Sequence, residues 1–304
     1  MKRKHVLDRI ENLLKPYRIT DGKNFKLSDM DPSDTGSLTS AEKQEAKDLL
    51  TSGVSWLSEL QDVLYAQDKW GVLLIFQAMD AAGKDSTIKH VLSGVNPQGV
   101  QVYSFKQPSA EELDHDYMWR YSKCMPERGR IGIFNRSYYE EVLVARVHKE
   151  VVDRQKLPDQ LMTKKIWENR LEDMAAYEHY LARNGMATLK FFLNISKAEQ
   201  TKRFLARLEI PQKNWKFSDA DMKEREYWKD YMHAYEDAIR STASVHAPWY
   251  VVPANNKWFA RLIVAAATVE LLENLDLAYP AVPNEKTAYL AEAKQVLLAE
   301  QAKK

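Results

Sequence analysis

The sequence has little cysteine, glycine or proline, and no excess of charge of either sign. Its 304 residues include one cysteine, Cys124, which excludes an intrachain disulfide and suits a reducing compartment. The net charge of +1 argues against a generally basic nucleic-acid-binding protein, so an anionic substrate must be met by local charge. With 10 glycines and 11 prolines, the composition is that of a globular protein.

Long apolar runs are also missing. The most apolar late stretch, residues 262–275, is interrupted by Glu270, Glu273 and Asn274, which argues against a membrane span. The first residues are charged and are not followed by an apolar core, so no signal peptide is predicted. The expected location is the cytoplasm, with no membrane partner.

The most informative stretch is residues 71–90. It opens with the apolar run 72–76, the pattern of a strand buried on both faces of a parallel sheet. A loop of small residues follows, and Lys84 begins a predicted helix. Loop N–H groups, the positive end of a helix and a lysine ammonium together bind phosphate. The residues predicted to bind phosphate here are Ala81, Ala82, Gly83, Lys84, Asp85 and Ser86.

The match to the P-loop, or Walker A, pattern is incomplete. Ala78 occupies the first glycine position, and Asp85 follows the lysine where Ser or Thr is usual. Asp80 lies inside the loop, where a bare carboxylate would repel phosphate unless a divalent metal lay between them. The alternative interpretation is a buried strand followed by an ordinary helix start, with Lys84 in solvent.

A second strand end carries polar groups. The apolar residues 131–134 are followed by Asn135 and Arg136, and ligands of open parallel sheets bind at the carboxyl ends of strands. P-loop enzymes usually have a magnesium-binding Asp at this position. Asn135 is a neutral and weaker partner for a metal, whereas Arg136 can hold a phosphate with two hydrogen bonds. Alone, this motif would be read as a strand end with an Asn turn.

Three motifs together resemble the polyphosphate kinase 2 family. They are residues 79–85 (MDAAGKD), 134–140 (FNRSYYE) and 213–218 (KNWKFS), and the resemblance extends from about residue 21 to about residue 275. It implies reversible transfer of a terminal phosphate from inorganic polyphosphate to ADP and AMP, with Mg²⁺, and a homo-oligomer. Asn135 followed by Tyr-Tyr-Glu resembles class III of the family, whose members phosphorylate both nucleoside mono- and diphosphates.

The alternation of strand and helix patterns predicts the fold. Five strands separated by helices indicate a parallel sheet with right-handed crossovers, and therefore a three-layer α/β/α, P-loop kinase-like fold. The predicted strands are 72–77, 100–105, 131–135, 188–195 and 249–253. The predicted helices are 41–68, 84–94, 110–122, 138–150, 158–184, 197–208 and 219–240.

The chain is predicted to have three parts. Residues 1–69 form an N-terminal helical extension, residues 70–280 the phosphotransferase core, and residues 281–304 a C-terminal helix that packs on the body or is mobile. Within the core, residues 203–230 resemble the lid of a nucleotide kinase, which closes over phosphates and excludes water.

The lid prediction depends on a basic cluster. Arg203 and Arg207 are spaced to share one helix face, and Lys213 and Lys216 follow in a loop with aromatic neighbours. Without the family context, a solvated charged face is the competing interpretation.

The proposed roles follow from these motifs. The residues expected to act in catalysis are Asp80, Lys84, Arg136, Arg203 and Arg207. Magnesium is expected at Asp80 with help from Asn135, and Asp85 is a second candidate. Further phosphate contacts are expected from Lys106, Arg120 and Lys216.

Two other functions compete with polyphosphate-dependent phosphorylation. One is a nucleoside monophosphate kinase that uses ATP as donor. The other is a nucleotide-binding switch without transfer activity, but the closest run to its guanine-reading motif, residues 256–259 (NKWF), lacks the required Asp. The choice between adenine and guanine nucleotides stays open.

Overall fold

The computed structural model describes residues 3–36, 38 and 43–302. All five predicted strands form and are parallel, in a sheet whose strand order is β1-β6-β5-β2-β4-β3. The strands are β1 (Arg18–Ile19), β2 (Gly71–Gln77), β3 (Val100–Ser104), β4 (Ile131–Asn135), β5 (Met186–Asn194) and β6 (Trp249–Pro253).

The sheet has one strand more than the five predicted. β1 is a two-residue edge strand that pairs antiparallel with β6, with Arg18 opposite Tyr250 and Ile19 opposite Trp249. A strand of two residues is too short to show a period-2 pattern, so it could not be predicted from the sequence. The sheet is therefore mixed.

The centre of the sheet is β2, whose seven residues are all buried. It pairs with β4 on one side, where Phe76 lies opposite Asn135, and with β5 on the other, where Gln77 lies opposite Phe192. Because the three strands are parallel, their carboxyl ends meet at one edge of the sheet. The loop after β2 thus emerges between two neighbours that also end in polar groups.

Helices cover both faces of this sheet. The apolar helix α12 packs against α1, α2 and α3 and over β5 and β6, whereas α8 packs on β5 and on α11. The helices are α1 (Arg3–Leu14), α2 (Lys43–Gln67), α3 (Lys84–Val91), α4 (Ala110–Leu113), α5 (Trp119–Ser122), α6 (Val144–Val147), α7 (Lys149–Asp153), α8 (Ile166–Arg183), α9 (Lys197–Glu209), α10 (Asp219–Glu224), α11 (Trp228–Thr242), α12 (Lys257–Glu273) and α13 (Asn284–Gln301).

Several predicted helices are shorter or broken. Residues 110–122 form α4 and α5, separated by a turn in which the Asp116 carboxylate accepts from the Met118 N–H at 2.9 Å. Residues 138–150 begin as a 3₁₀ turn, because the Ser137 hydroxyl accepts from the Tyr139 N–H. The predicted helix start at 41–42 lies outside the described residues.

The C-terminal helix α13 spans Asn284–Gln301 and does not pack on the body. From residue 286 to residue 302, every side chain is exposed except that of half-buried Ala293. Residues 303–304 of the predicted helix lie outside the described part. No helix among the described residues is long and apolar enough to cross a membrane.

Candidate active site

The loop between β2 and α3 has the backbone of an anion-binding site. Ala81 and Gly83 both have positive φ, 61° and 107°, a conformation that costs an alanine about 1 kcal/mol. Gly83 is the N-cap of α3 and has no side chain to satisfy the first N–H groups of the helix. Those N–H groups are therefore open to an anionic ligand.

Lys84 lies under this loop. Its Nζ donates to the Ala78 carbonyl oxygen at 2.7 Å, across the mouth of the loop, and its side chain is buried. Burial lowers the pKa of Lys84, and the nearby charge of Arg136 lowers it further, against the opposing effect of Asp80 and Glu140. The ammonium is thus poised to exchange a carbonyl partner for a phosphate oxygen.

Arg136 reaches the loop from the end of β4. It has a φ of 67°, and its N–H donates to the Phe76 carbonyl oxygen at 3.0 Å, which ties the end of β4 to β2. Its guanidinium lies 3.2 Å from Asp80 Oδ1 and 3.6 Å from Glu140 Oε2. The charge of Glu140 raises the pKa of Arg136 against the effect of burial, and Asp80 raises it further.

The Arg136 contact changes the explanation for an acid in a phosphate-binding loop. The sequence argument required a metal to neutralise Asp80. In the structure the neighbouring positive charge is the guanidinium of Arg136, so Asp80 is compensated by the protein itself.

Asn135 and Glu140 complete this corner. The Asn135 amide donates to Asp85 Oδ1 at 2.7 Å, which joins the end of β4 to the first turn of α3. Burial raises the pKa of Glu140, opposed by Arg136 and Lys84. Sequence reasoning quoted Glu140 within a motif but gave it no role; its position four residues after Arg136 was the available signal.

The side chains beside the loop suit one mode of magnesium binding. The described residues contain no group of three or more His, Cys, Asp or Glu side chains placed to hold a metal. Magnesium often uses only one or two carboxylates, keeps several waters and takes its other ligands from substrate phosphates. Asp80, Asn135 and Asp85 beside the phosphate-binding loop fit that mode, and they do not fit a dedicated protein cage.

Arg203 supports the loop from below. From α9, its Nη1 donates to the carbonyl oxygens of Ala81 (3.0 Å) and Ala82 (2.7 Å), and its Nη2 to those of Ala254 (2.6 Å) and Asn255 (3.1 Å). The side chain is buried, and its Nε also donates to a carboxylate of the same helix at 2.8 Å. The structure thus places this predicted catalytic arginine as a brace between two loops.

Arg207 lies one turn further along α9, in the predicted lid. Its Nη1 donates to Asp221 Oδ2 at 3.0 Å and to the Lys216 carbonyl oxygen at 3.1 Å. Burial raises the pKa of Asp221, and the charge of Asp80 raises it further, so this segment is close enough to the loop for the charge of Asp80 to act on it. The Lys216 side chain is exposed, with its ammonium 5.0 Å from the Trp215 ring.

The predicted cations after β3 make contacts within their own loop, which is joined to β4 where the Phe105 N–H donates to the Asn135 carbonyl oxygen at 3.2 Å. Arg120 is buried and donates to the Lys106 carbonyl oxygen at 2.8 Å, with its Nε 3.5 Å from Glu112. Its guanidinium also lies over the ring of Phe105. These contacts fix the loop after β3 and leave the Lys106 side chain exposed.

A buried polar network holds the turn that carries Arg136 and Glu140. The hydroxyls of Tyr138 and Tyr139 both donate to Glu178 Oε1, at 2.9 and 2.7 Å. The other oxygen of Glu178 pairs with Lys190 Nζ at 2.5 Å, and both charged side chains have no exposed surface. Lys190 also donates to the Thr242 carbonyl oxygen at 2.7 Å. Sequence reasoning missed this network, because a lysine within a strand pattern does not reveal its partner.

Known proteins resemble this chain over most of its length. The family model for Polyphosphate kinase 2 matches residues 39–279. An ADP-polyphosphate phosphotransferase of Rhodopseudomonas palustris is 52% identical over 84% of this chain and 89% of its own. An AMP/ADP-polyphosphate phosphotransferase of Meiothermus ruber is 44% identical, over 88% and 96%. The crystal structure of a polyphosphate kinase 2 from Arthrobacter aurescens superposes with a TM-score of 0.81 at 40% identity, covering 90% and 95% of the two chains. A fold, a phosphate-binding loop and relatives that agree over most of the sequence place this chain in the polyphosphate kinase 2 family.

Proposed function

We propose that this protein transfers the terminal phosphate of inorganic polyphosphate to ADP and to AMP, reversibly and by direct in-line transfer. The observation that carries the proposal is the convergence of Lys84, Arg136 and the uncapped first turn of α3 on one loop. The R. palustris relative is named for ADP, and the M. ruber relative is named for both AMP and ADP. The Asn135-containing motif favours the wider acceptor range.

Positioning and charge neutralisation account for the chemistry. The acceptor's terminal phosphate oxygen is already a nucleophile, so little general-base catalysis is needed. Lys84 and Arg136 stabilise charge on the transferring group, and such fixed donors contribute most where charge develops. Asp80 and Glu140 orient the Arg136 guanidinium. Arg203 holds the loop in the conformation in which Ala81 and Gly83 have positive φ.

Magnesium is part of the proposal. Asp80 would hold it, with Asn135 or Asp85 as the second protein group. A magnesium ion held there would supply positive charge next to the phosphates of the substrate. Arg136, which pairs with Asp80 and Glu140, lies beside the same position.

Closure of a lid over residues 203–230 is also proposed. Arg207 pairs with Asp221, and the charge of Asp80 acts on Asp221. The Lys216 side chain in the same segment is exposed. A polyanion on the loop would attract Arg207 and Lys216 and draw the segment down, which excludes water from the reaction.

Guanine acceptors, a cytoplasmic location and a homo-oligomer belong to the same proposal. The single cysteine supports a reducing compartment, and the exposed apolar side chains of α13, such as Tyr289 and Leu297, offer surface for self-association. An ATP-dependent monophosphate kinase is not favoured, because both relatives are named for polyphosphate. A switch without transfer is disfavoured for the same reason.

One experiment tests the function. The protein is incubated with polyphosphate, magnesium and AMP, ADP, GMP or GDP, without ATP, and the nucleotides are separated by chromatography. ATP from ADP, and ADP followed by ATP from AMP, are the expected products. If phosphorylated products form only when ATP replaces polyphosphate, the donor assignment is wrong.

A further inference from the structure

Two cations at the start of α12 form no ion pair with any residue that the structure describes. Lys257 and Arg261 are one turn apart; Lys257 is exposed and Arg261 is half-buried. None of the ion pairs in the described part of the chain includes either side chain, and Arg261 Nε is buried without a hydrogen-bond acceptor. Like charges four residues apart on a helix destabilise it. The pair is therefore suited to an anion that the chain itself does not supply.

This pair lies beside the phosphate-binding loop. The two terminal nitrogens of Arg203 join the Ala82 carbonyl oxygen to that of Ala254, and α12 begins three residues after Ala254. One guanidinium therefore separates the loop from the segment that leads into α12. The positive end of α12 follows the carboxyl end of β6 after a short segment, and its N-cap residue Asn256 makes no side-chain cap.

The groups around Lys257 are mostly cationic. Partial burial lowers its pKa, and the charges of Arg203, Arg261 and Lys213 lower it further, with Glu199 as the opposing acid. Glu199 already accepts from Arg203 Nε at 2.8 Å, so it is not free to neutralise the cluster. Lys213 belongs to the predicted lid, so the cluster spans α9, α12 and the lid.

We propose that Lys257 and Arg261 form a distal subsite for the donor, which binds the phosphates of a polyphosphate chain that extend beyond the loop. The inference rests on the proposed function, because only a linear polyanion longer than the loop has charges left to place there. An exposed ammonium and a guanidinium fork bind successive phosphate groups without requiring a fixed register. The subsite would favour long donors over short ones.

The test compares donor lengths. The variant Lys257→Gln/Arg261→Gln is assayed with ADP and either tripolyphosphate or a polyphosphate of many units. The ratio of kcat/KM for the long donor to that for the short donor should fall about tenfold or more relative to wild type. The matched control, Lys286→Gln/Lys294→Gln, removes two positive charges from exposed α13 and should keep the wild-type ratio within about twofold. Thermal melting confirms that both variants are folded.

Equilibrium binding separates this inference from the proposed function. Binding of the long polyphosphate, measured without acceptor and without turnover, should weaken about tenfold in the α12 variant and not in the control. Unchanged affinity together with an unchanged donor ratio would overturn the subsite, as would an equal loss with both donors. If the wild-type protein transfers no phosphate from any polyphosphate, the proposed function fails, and the binding measurement still decides the subsite.

Discussion

Replacement of Arg203 decides whether this arginine braces the loop or acts on the substrate. The substitution Arg203→Met keeps an aliphatic stem of similar size and removes the hydrogen bonds to four carbonyl oxygens of two loops. Arg203→Lys keeps the charge, but a single ammonium cannot span both loops as the guanidinium fork does.

The expected effect is a loss of stability in the absence of any substrate. A hydrogen bond from a charged group contributes about 1.5–3 kcal/mol, and carbonyl groups that regain water recover part of it. We therefore expect Arg203→Met to lower the free energy of unfolding by about 3 kcal/mol. For a chain of this size that corresponds to a fall in Tm of about 6 °C. The Tm of Arg203→Lys should lie between that of Arg203→Met and that of the wild type.

Thermal melting of the ligand-free protein is the assay, and kcat/KM is measured in parallel below the transition. Arg207→Met is the matched control, because Arg207 is half-buried and pairs with Asp221 within the lid. Such a pair contributes about 0–1 kcal/mol, so the control should melt within about 2 °C of wild type. If Arg203→Met melts like wild type while kcat collapses, the brace is refuted and Arg203 acts on the substrate.

Four further outcomes are expected. Lys84→Ala should lose about 3–4 kcal/mol of transition-state stabilisation, and a variant that keeps more than about a tenth of the rate at unchanged Tm would contradict the assignment. Rate against magnesium concentration should change far more for Asp80→Asn than for Asn135→Ala, whereas Asn135→Asp should stay active; the reverse order would move the metal to another ligand. Hydrogen exchange across residues 203–218 should slow when polyphosphate and magnesium are added, and unchanged exchange would refute lid closure. The pKa of Glu140 is raised above its ordinary value of 4.5, so the native state binds this proton more tightly than the unfolded state does. The free energy of unfolding therefore falls as the pH rises from 4.5 through the raised pKa. Glu140→Gln should therefore gain stability relative to wild type as the pH rises above 4.5 in urea titrations, and parallel curves would exclude this coupling.

The sequence revealed the parts of the fold that depend on local patterns. The apolar run 72–76 predicted the central strand, because a strand buried on both faces has no polar alternation. The small-residue loop and Lys84 predicted the helix start that follows. The break of residues 110–122 was not predicted, because an Asx turn at Asp116 competes with the helix and leaves the apolar spacing intact.

Contacts between distant residues explain what the sequence did not reveal about the site. Arg203 has the spacing of a lid arginine, yet its partners are carbonyl groups of two loops, one 121–122 residues earlier in the chain and the other 51–52 residues later. Backbone oxygens leave no trace in a side-chain motif. The pairing of Asp80 with Arg136 is of the same kind, since both motifs were found but their contact depends on the register of β2 against β4.

The buried Glu178–Lys190 pair determines how the turn after β4 can be engineered. Glu178 accepts hydrogen bonds from the hydroxyls of Tyr138 and Tyr139 and pairs with Lys190. The conformation of the turn therefore depends on these buried contacts and not on its exposed face. A substitution at half-buried Asn135, which takes no part in this network, would leave these buried contacts in place. If the whole turn is transferred to another protein, Tyr138, Tyr139 and the buried carboxylate of Glu178 must be transferred as well.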